Sequence, residues 1–206
     1  MIWSGIAVAL GYLLGSVSAG LLLGRLAGVD LRAHGSGNVG ATNAVRARGA
    51  RFGVAVFALD AAKGAIAVAL LPLLAPPAAW IPAACGAAAI VGHVFPLWFR
   101  FRGGKGFATA LGVIAVLAPV ALAPVAGAWV LVLLLTGYVS AATLSAAVAF
   151  PAFVAAVHGA GRPALLAFAA ALAAFLFFTH RSNVRRLARG DEHRFRRVWV
   201  LGRVRG

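Results

Sequence analysis

At 206 residues the chain has room for one or two soluble domains, but 63% of it is apolar, only 11% is charged, and its mean hydropathy is +0.96. That balance excludes a water-soluble fold and reads as an all-α, polytopic membrane helix bundle, one domain over residues 1–206. The net charge of +15 lies between and after the apolar runs, where positive-inside topology accounts for it, so no nucleic-acid partner is implied.

Seven apolar segments follow in order. The first covers residues 2–26 and has no basic residues before it, so it is expected to remain as a span rather than be cleaved as a signal. A polar run, His34-Gly35-Ser36-Gly37-Asn38-Val39-Gly40-Ala41-Thr42-Asn43, comes next. Its three glycines free the backbone for positive φ, so that successive N–H groups can converge on an anion. Ser36, Asn38, Thr42 and Asn43 add neutral hydrogen-bonding groups, and Arg46 follows. This suits a phosphate or a developing oxyanion; the alternative is a solvated turn.

The second segment, 52–75, carries Asp60 and Lys63 one turn apart, about two turns in from the basic face. A buried ionisable pair in a membrane helix is a functional candidate; the alternative is an ion pair that locks two helices together. The third segment, 78–97, includes the single cysteine, Cys85, which excludes an intrachain disulfide. Gly103-Gly104-Lys105-Gly106 then precedes the fourth helix, where glycine backbone, ammonium and helix N-terminus together favour phosphate. The spacing is not that of a Walker motif. His93 reads as a packing histidine, and Phe95, Trp98, Phe99 and Phe101 as interfacial aromatics.

The run 107–139 is too long for one span and is expected to turn at Pro119 and Pro124 into a fourth and a fifth helix. The sixth helix, 141–157, follows Ser140, which either caps it or takes part in a site. The seventh, 164–179, ends at His180 and Asn183, and 179–206 is a basic cytoplasmic tail. Residues 25–51, 100–105 and 181–205 together hold seventeen of the nineteen Lys and Arg. That face is therefore cytoplasmic, the N-terminus is outside, and seven spans bring the C-terminus inside.

Ser36-Gly37-Asn38-Val39-Gly40-Ala41-Thr42-Asn43, Asp60-x-x-Lys63-Gly64, Gly92-His93-x-Phe95-Pro96 with Gly103-Gly104-Lys105-Gly106-x-Ala108-Thr109, and His180-Arg181-x-Asn183-Val184-x-Arg186-Leu187-x-x-Gly190-x-Glu192 stand in that order. Together they resemble the bacterial integral-membrane acyl-phosphate:glycerol-3-phosphate acyltransferases, over essentially the whole chain. Thr143 stands where the family often has a serine, and a hydroxyl is retained.

The resemblance implies transfer of a fatty acyl group from acyl phosphate to the 1-position of glycerol-3-phosphate, giving lysophosphatidic acid and inorganic phosphate. This is the first acylation of phospholipid synthesis, in the bacterial inner membrane with the site on the cytoplasmic side. It implies no cofactor and no metal; membrane lipid is the surrounding partner, and a monomer is expected. With no Ser-His-Asp or Cys-His set in evidence, direct attack by the substrate hydroxyl is expected. Ser36, Asn38, Thr42, Asn43, Lys105 and His180 form the expected catalytic set, and Gly37, Gly40, Arg46, Lys63, Gly103, Gly104, Ser140 and Asn183 the expected binding set. Ser36, Thr42, Ser140 and the glycine backbone would cradle acyl phosphate, and Arg46, Lys105, His180 and Asn183 would hold glycerol-3-phosphate, with Lys63 serving either. The rival reading is a transporter or channel for an anionic phosphorylated solute.

Overall fold

The computed structural model describes residues 1–196 and 198–203, and the chain divides into two compact units, 1–118 and 119–206. The described residues are helical, with no β-strand among them. This agrees with the expected all-α class.

In the first unit, α1 (Ile2–Ser16) and α2 (Ala19–Leu26) form one apolar stretch of 25 residues, broken where Val17 and Ser18 are extended. The Ser16 hydroxyl donates to the Tyr12 carbonyl one turn back, a bond that helps disrupt a helix. A short helix absent from the sequence reading, α3 (Ala41–Arg48), leads through Gly49 into α4 (Ala50–Ala69). α5 (Ile81–Val94) and α6 (Phe107–Leu117) complete the unit.

Small residues decide which helices meet. A β-carbon at Gly15 would overlap the Ala89 carbonyl, and one at Gly92 would overlap that of Tyr12, so α1 and α5 touch backbone to backbone. Gly64 lies against the Thr109 carbonyl and Gly112 against that of Ala61, which brings α4 and α6 together in the same way. In lipid, where apolar burial does not separate one helix partner from another, such close approach supplies the packing.

The second unit consists of α7 (Pro119–Thr136), α8 (Val139–His158), α9 (Pro163–Thr179), α10 (Arg181–Arg189) and α11 (Val200–Arg203). The expected turn in the 107–139 run falls at Ala118, and Pro119 opens α7, a position where its missing N–H costs nothing. Pro124 remains inside the helix, which corrects its assignment to the turn. Part of the expected basic tail lies outside the described residues, but Phe195 N–H donates to the Gly137 carbonyl and the Trp199 indole to that of Leu135. The described part is thus bonded to the α7–α8 corner.

Among the described residues five helical stretches are long and apolar enough to cross a membrane, and a sixth is available if α9 and α10, bent by 61°, are taken as one. The expected fourth span is α6, with 11 residues. At about 1.5 Å per residue it reaches roughly half of a ~30 Å hydrocarbon core. Among the described residues the seven expected segments each fall on helix, α1 and α2 together forming the first, but five or six rather than seven meet the length of a span.

The contact between α4 and α6 gives a test. Gly112→Ala places its methyl on the Ala61 carbonyl, backbone that cannot rotate away. A loss of about 1–3 kcal/mol is expected, read as a lower melting temperature in detergent. Gly127→Ala, with nothing within 4 Å of the added carbon, should leave it unchanged or raised.

Candidate active site

The polar run after α2 is a loop closed by one side chain. Asn43, in the first turn of α3 and 1% exposed, accepts from Ser36 N–H at 3.0 Å. Its amide nitrogen is 2.8 Å from Leu31 O, 3.0 Å from His34 O and 2.8 Å from Asn38 O. Gly35 and Gly37 take positive φ, 51° and 68°, whereas Gly40 is extended at φ −82°. Gly40 therefore does not supply the left-handed turn expected of it.

A β-carbon at Gly35 would overlap Asn43 Oδ1, so that glycine is required by the close approach of the amide as well. The expected cradle of convergent N–H groups is also corrected, because Ser36 N–H points to Asn43 and Gly37 N–H donates to the His34 carbonyl. Asn43 itself is turned into the loop. The loop's exposed face runs through His34, Gly35, Ser36 and Gly37, with Ser36 contributing its hydroxyl. Thr42 and Arg46, four residues apart on α3, share a face of that helix.

The loop between α5 and α6 is built against the end of α5. Arg100 and Phe101 both adopt left-handed conformations, φ 56° and 57°, and Phe101 N–H donates to Pro96 O at 3.0 Å. Gly103 N–H donates to Val94 O and Gly104 N–H to His93 O, each at 3.1 Å. Neither N–H is directed at an anion, which corrects the expected role of these two glycines. They are glycines because a β-carbon at Gly103 would overlap His93 O, and one at Gly104 would overlap His93 Nε2. The effect is to set Lys105, half-buried, just ahead of α6. Arg32 donates to the Arg102 carbonyl at 3.0 Å, joining the two loops across 70 residues.

Lys63 and Asp60 meet as expected, with Nζ 2.8 Å from Oδ1, both side chains buried. Lys63 also donates to Val17 O at 2.8 Å, the carbonyl that the break in the first span leaves without a helical partner. The ammonium is thereby committed to the α1–α2 break, and the ion-pair alternative describes Lys63 better than phosphate binding. His93 Nδ1 faces the same Asp60 oxygen at 3.4 Å. No spacing in the chain links residue 60 to residue 93, so this contact is invisible before the helices are packed.

In the second unit Ser140, Asn183 and Arg186 converge on Glu192. Ser140 Oγ and Asn183 Nδ2 donate to Oε1 at 3.0 and 2.7 Å, and Arg186 Nε donates to Oε2 at 2.6 Å. Ser140 is thus inside α8 and does not cap it. Burial opposes ionisation of Glu192, but the donors from Asn183, Arg186 and Ser140, with the charge of Arg186, hold its carboxyl below the ordinary value of 4.5. Glu192 was visible in the motif as a carboxylate among cations, without an assigned role. His180 Nδ1 lies 2.8 Å from the Leu176 carbonyl, which can only accept, so the ring carries its proton there.

A model of the family described as glycerol-3-phosphate acyltransferase matches residues 5–190, which include every candidate residue from Ser36 to Asn183. The chain belongs to this family. The glycerol-3-phosphate acyltransferase of Geotalea daltonii is 44% identical over 90% of this chain and 94% of its own. That of Myxococcus xanthus is 47% identical over 91% and 97%. A crystal structure of an integral membrane glycerol 3-phosphate acyltransferase, in its glycerol 3-phosphate form, matches with a TM-score of 0.87 at 40% identity, covering 93% of this chain and 95% of that one. The chain is therefore an acyltransferase of a membrane family, acting in phospholipid synthesis.

Glu192 gives a pH test. Its depressed pKa stabilises the fold fully above 4.5, and that contribution is lost as pH falls through the lower folded value. Wild-type melting temperature should drop on going from about pH 5 to about pH 3. Glu192→Gln should melt lower at neutral pH and show a flatter acid limb.

Proposed function

We propose that the chain, acting as one acyltransferase domain over 1–206, transfers a fatty acyl group from acyl phosphate to the 1-hydroxyl of glycerol-3-phosphate. The products would be lysophosphatidic acid and inorganic phosphate. The observation that carries this reading is the Arg32–Arg102 bond, which joins the Ser36 and Lys105 loops in a chain of this family. A structural relative at 37% identity is described in a lysophosphatidic acid form, which supports that product. Charge placement favours seven membrane segments, α6 reaching only part-way across, with the basic loops cytoplasmic and the N-terminus outside.

Acyl phosphate is a mixed anhydride, so departure of phosphate needs charge neutralisation more than a strong acid. The substrate hydroxyl attacks the acyl carbon, the bond from that carbon to the phosphate oxygen breaks, and phosphate leaves. Ser36 and Thr42 supply hydroxyl donors to acyl phosphate and to the oxyanion that forms. Arg46 and Lys105 take the phosphate of glycerol-3-phosphate, guanidinium as a fork and ammonium as a compact charge. Asn43 shapes the loop that presents Ser36, with Asn38, Gly37 and Gly40 as parts of that loop. In the second unit His180 orients the acceptor, while Asn183 is bonded to Glu192. The hydroxyl proton has two candidate acceptors, the departing phosphate and Nε2 of His180, whose proton is held at Nδ1.

The test is a purified-enzyme assay following phosphate and lysophosphatidate together, with acyl-CoA as the competing donor. Stoichiometric products from acyl phosphate alone are expected. Ser36→Ala should lower kcat by about 10²-fold, and Lys105→Ala should weaken glycerol-3-phosphate by roughly 10- to 100-fold. If His180→Ala raises KM with kcat unchanged, His180 binds and the phosphate takes the proton. Turnover with acyl-CoA instead would overturn the donor assignment, and solute flux without turnover would restore the transporter reading.

A further inference from the structure

The imidazole of His93 lies between a buried ion pair and the glycine loop. On one side its Nδ1 faces Asp60 Oδ1 at 3.4 Å, and Asp60 is held in turn by Lys63 at 2.8 Å. On the other, its Nε2 occupies the space that a β-carbon on Gly104 would need. The His93 carbonyl accepts Gly104 N–H, so ring and backbone of one residue together form the floor under Gly103-Gly104. The ring is 4% exposed, and Asp60 2%.

Packing alone would be met by a leucine or a phenylalanine. A histidine ring turns through a broad, roughly two-fold torsion, and a carboxylate against Nδ1 selects one orientation. That orientation places the other edge under Gly104. Residues that hold a site in shape from behind do so by locking the rotamer of the groups in front.

We infer that Asp60 and His93 are positioning residues for glycerol-3-phosphate, acting through Gly104 on Lys105. The inference rests on the proposed reading that Lys105 takes the substrate phosphate. The chain of contacts runs from the Val17 carbonyl through Lys63, Asp60 and His93 to the loop, all within the first unit. Neither Asp60 nor His93 touches substrate in this scheme. Their removal lets the loop relax and lowers affinity for one substrate only.

The experiment is steady-state kinetics on the full-length enzyme in detergent, varying acyl phosphate and glycerol-3-phosphate separately. Asp60→Asn, His93→Ala, Gly104→Ala and the His93→Ala/Gly104→Ala double variant are compared, with Lys105→Ala alongside. Asp60→Asn is expected to raise KM for glycerol-3-phosphate about tenfold, with kcat and KM for acyl phosphate changed by less than about threefold. Gly104→Ala should raise the same KM strongly in the wild type and little further once His93 is alanine, because the clash is with the ring.

An equal effect of Gly104→Ala in both backgrounds would overturn the proposal, since the ring would then not be what the glycine avoids. So would Asp60→Asn lowering activity only in proportion to folded protein, with both KM values unmoved. If Asp60→Asn does not fold, the Gly104–His93 cycle decides alone. Should Lys105→Ala leave KM for glycerol-3-phosphate unchanged, the reading of the loop fails and the proposal with it. Should Lys105→Ala raise that KM while the cycle shows no coupling, the proposal alone fails.

Discussion

The ammonium of Lys63, bonded to Asp60 and to the Val17 carbonyl, is the contact on which the first unit depends. A spanning helix that stops in mid-course leaves backbone carbonyls without partners, and in hydrocarbon such groups are costly. Lys63 answers one of them, and Asp60 compensates the charge that this brings inside. Without the pair the break at Val17 and Ser18 would have to close into regular helix or admit water. Because α2 leads directly to the Ser36 loop, the direction of that loop follows from the break.

Glycine carries the second constraint, in two distinct ways. At Gly15, Gly64, Gly92 and Gly112 it allows backbones to touch between helices. At Gly35, Gly103 and Gly104 it lets loop backbone approach a side chain or a carbonyl of the scaffold. The loops are consequently rigid attachments, each stapled to its neighbouring helices by several backbone bonds. A loop held in this way has little conformational freedom left to lose when a ligand binds.

Much of this was legible in the chain. Apolar runs gave all the long helices, since hydrophobicity over some twenty residues is a strong signal. The pairing of Asp60 with Lys63 followed from helical spacing. What the residues alone misjudged was the direction of hydrogen bonds. Gly-rich motifs suggest anion cradles, yet the N–H groups of Ser36, Gly37, Gly103 and Gly104 face protein. Ser140 and Asn183 look like substrate donors until Glu192 is placed between them. Contacts between residues 60 and 93, or 140 and 192, have no periodicity to reveal them, and α3 was hidden because its 8 residues, with polar Thr, Asn and Arg among Ala and Val, are too short to set up an apolar pattern.

The placement of the four acids has an electrostatic consequence. Asp60 and Glu192 are drawn into bonds with cations, leaving Asp30 and Asp191 as the exposed carboxylates. Among the described residues the arginines of the loops therefore face few surface carboxylates, and their potential extends into the aqueous phase over about a Debye length of ~8 Å at physiological salt. A dianionic phosphate monoester such as glycerol-3-phosphate entering that field is concentrated before it makes any contact. Capture of the soluble substrate should accordingly weaken as ionic strength rises.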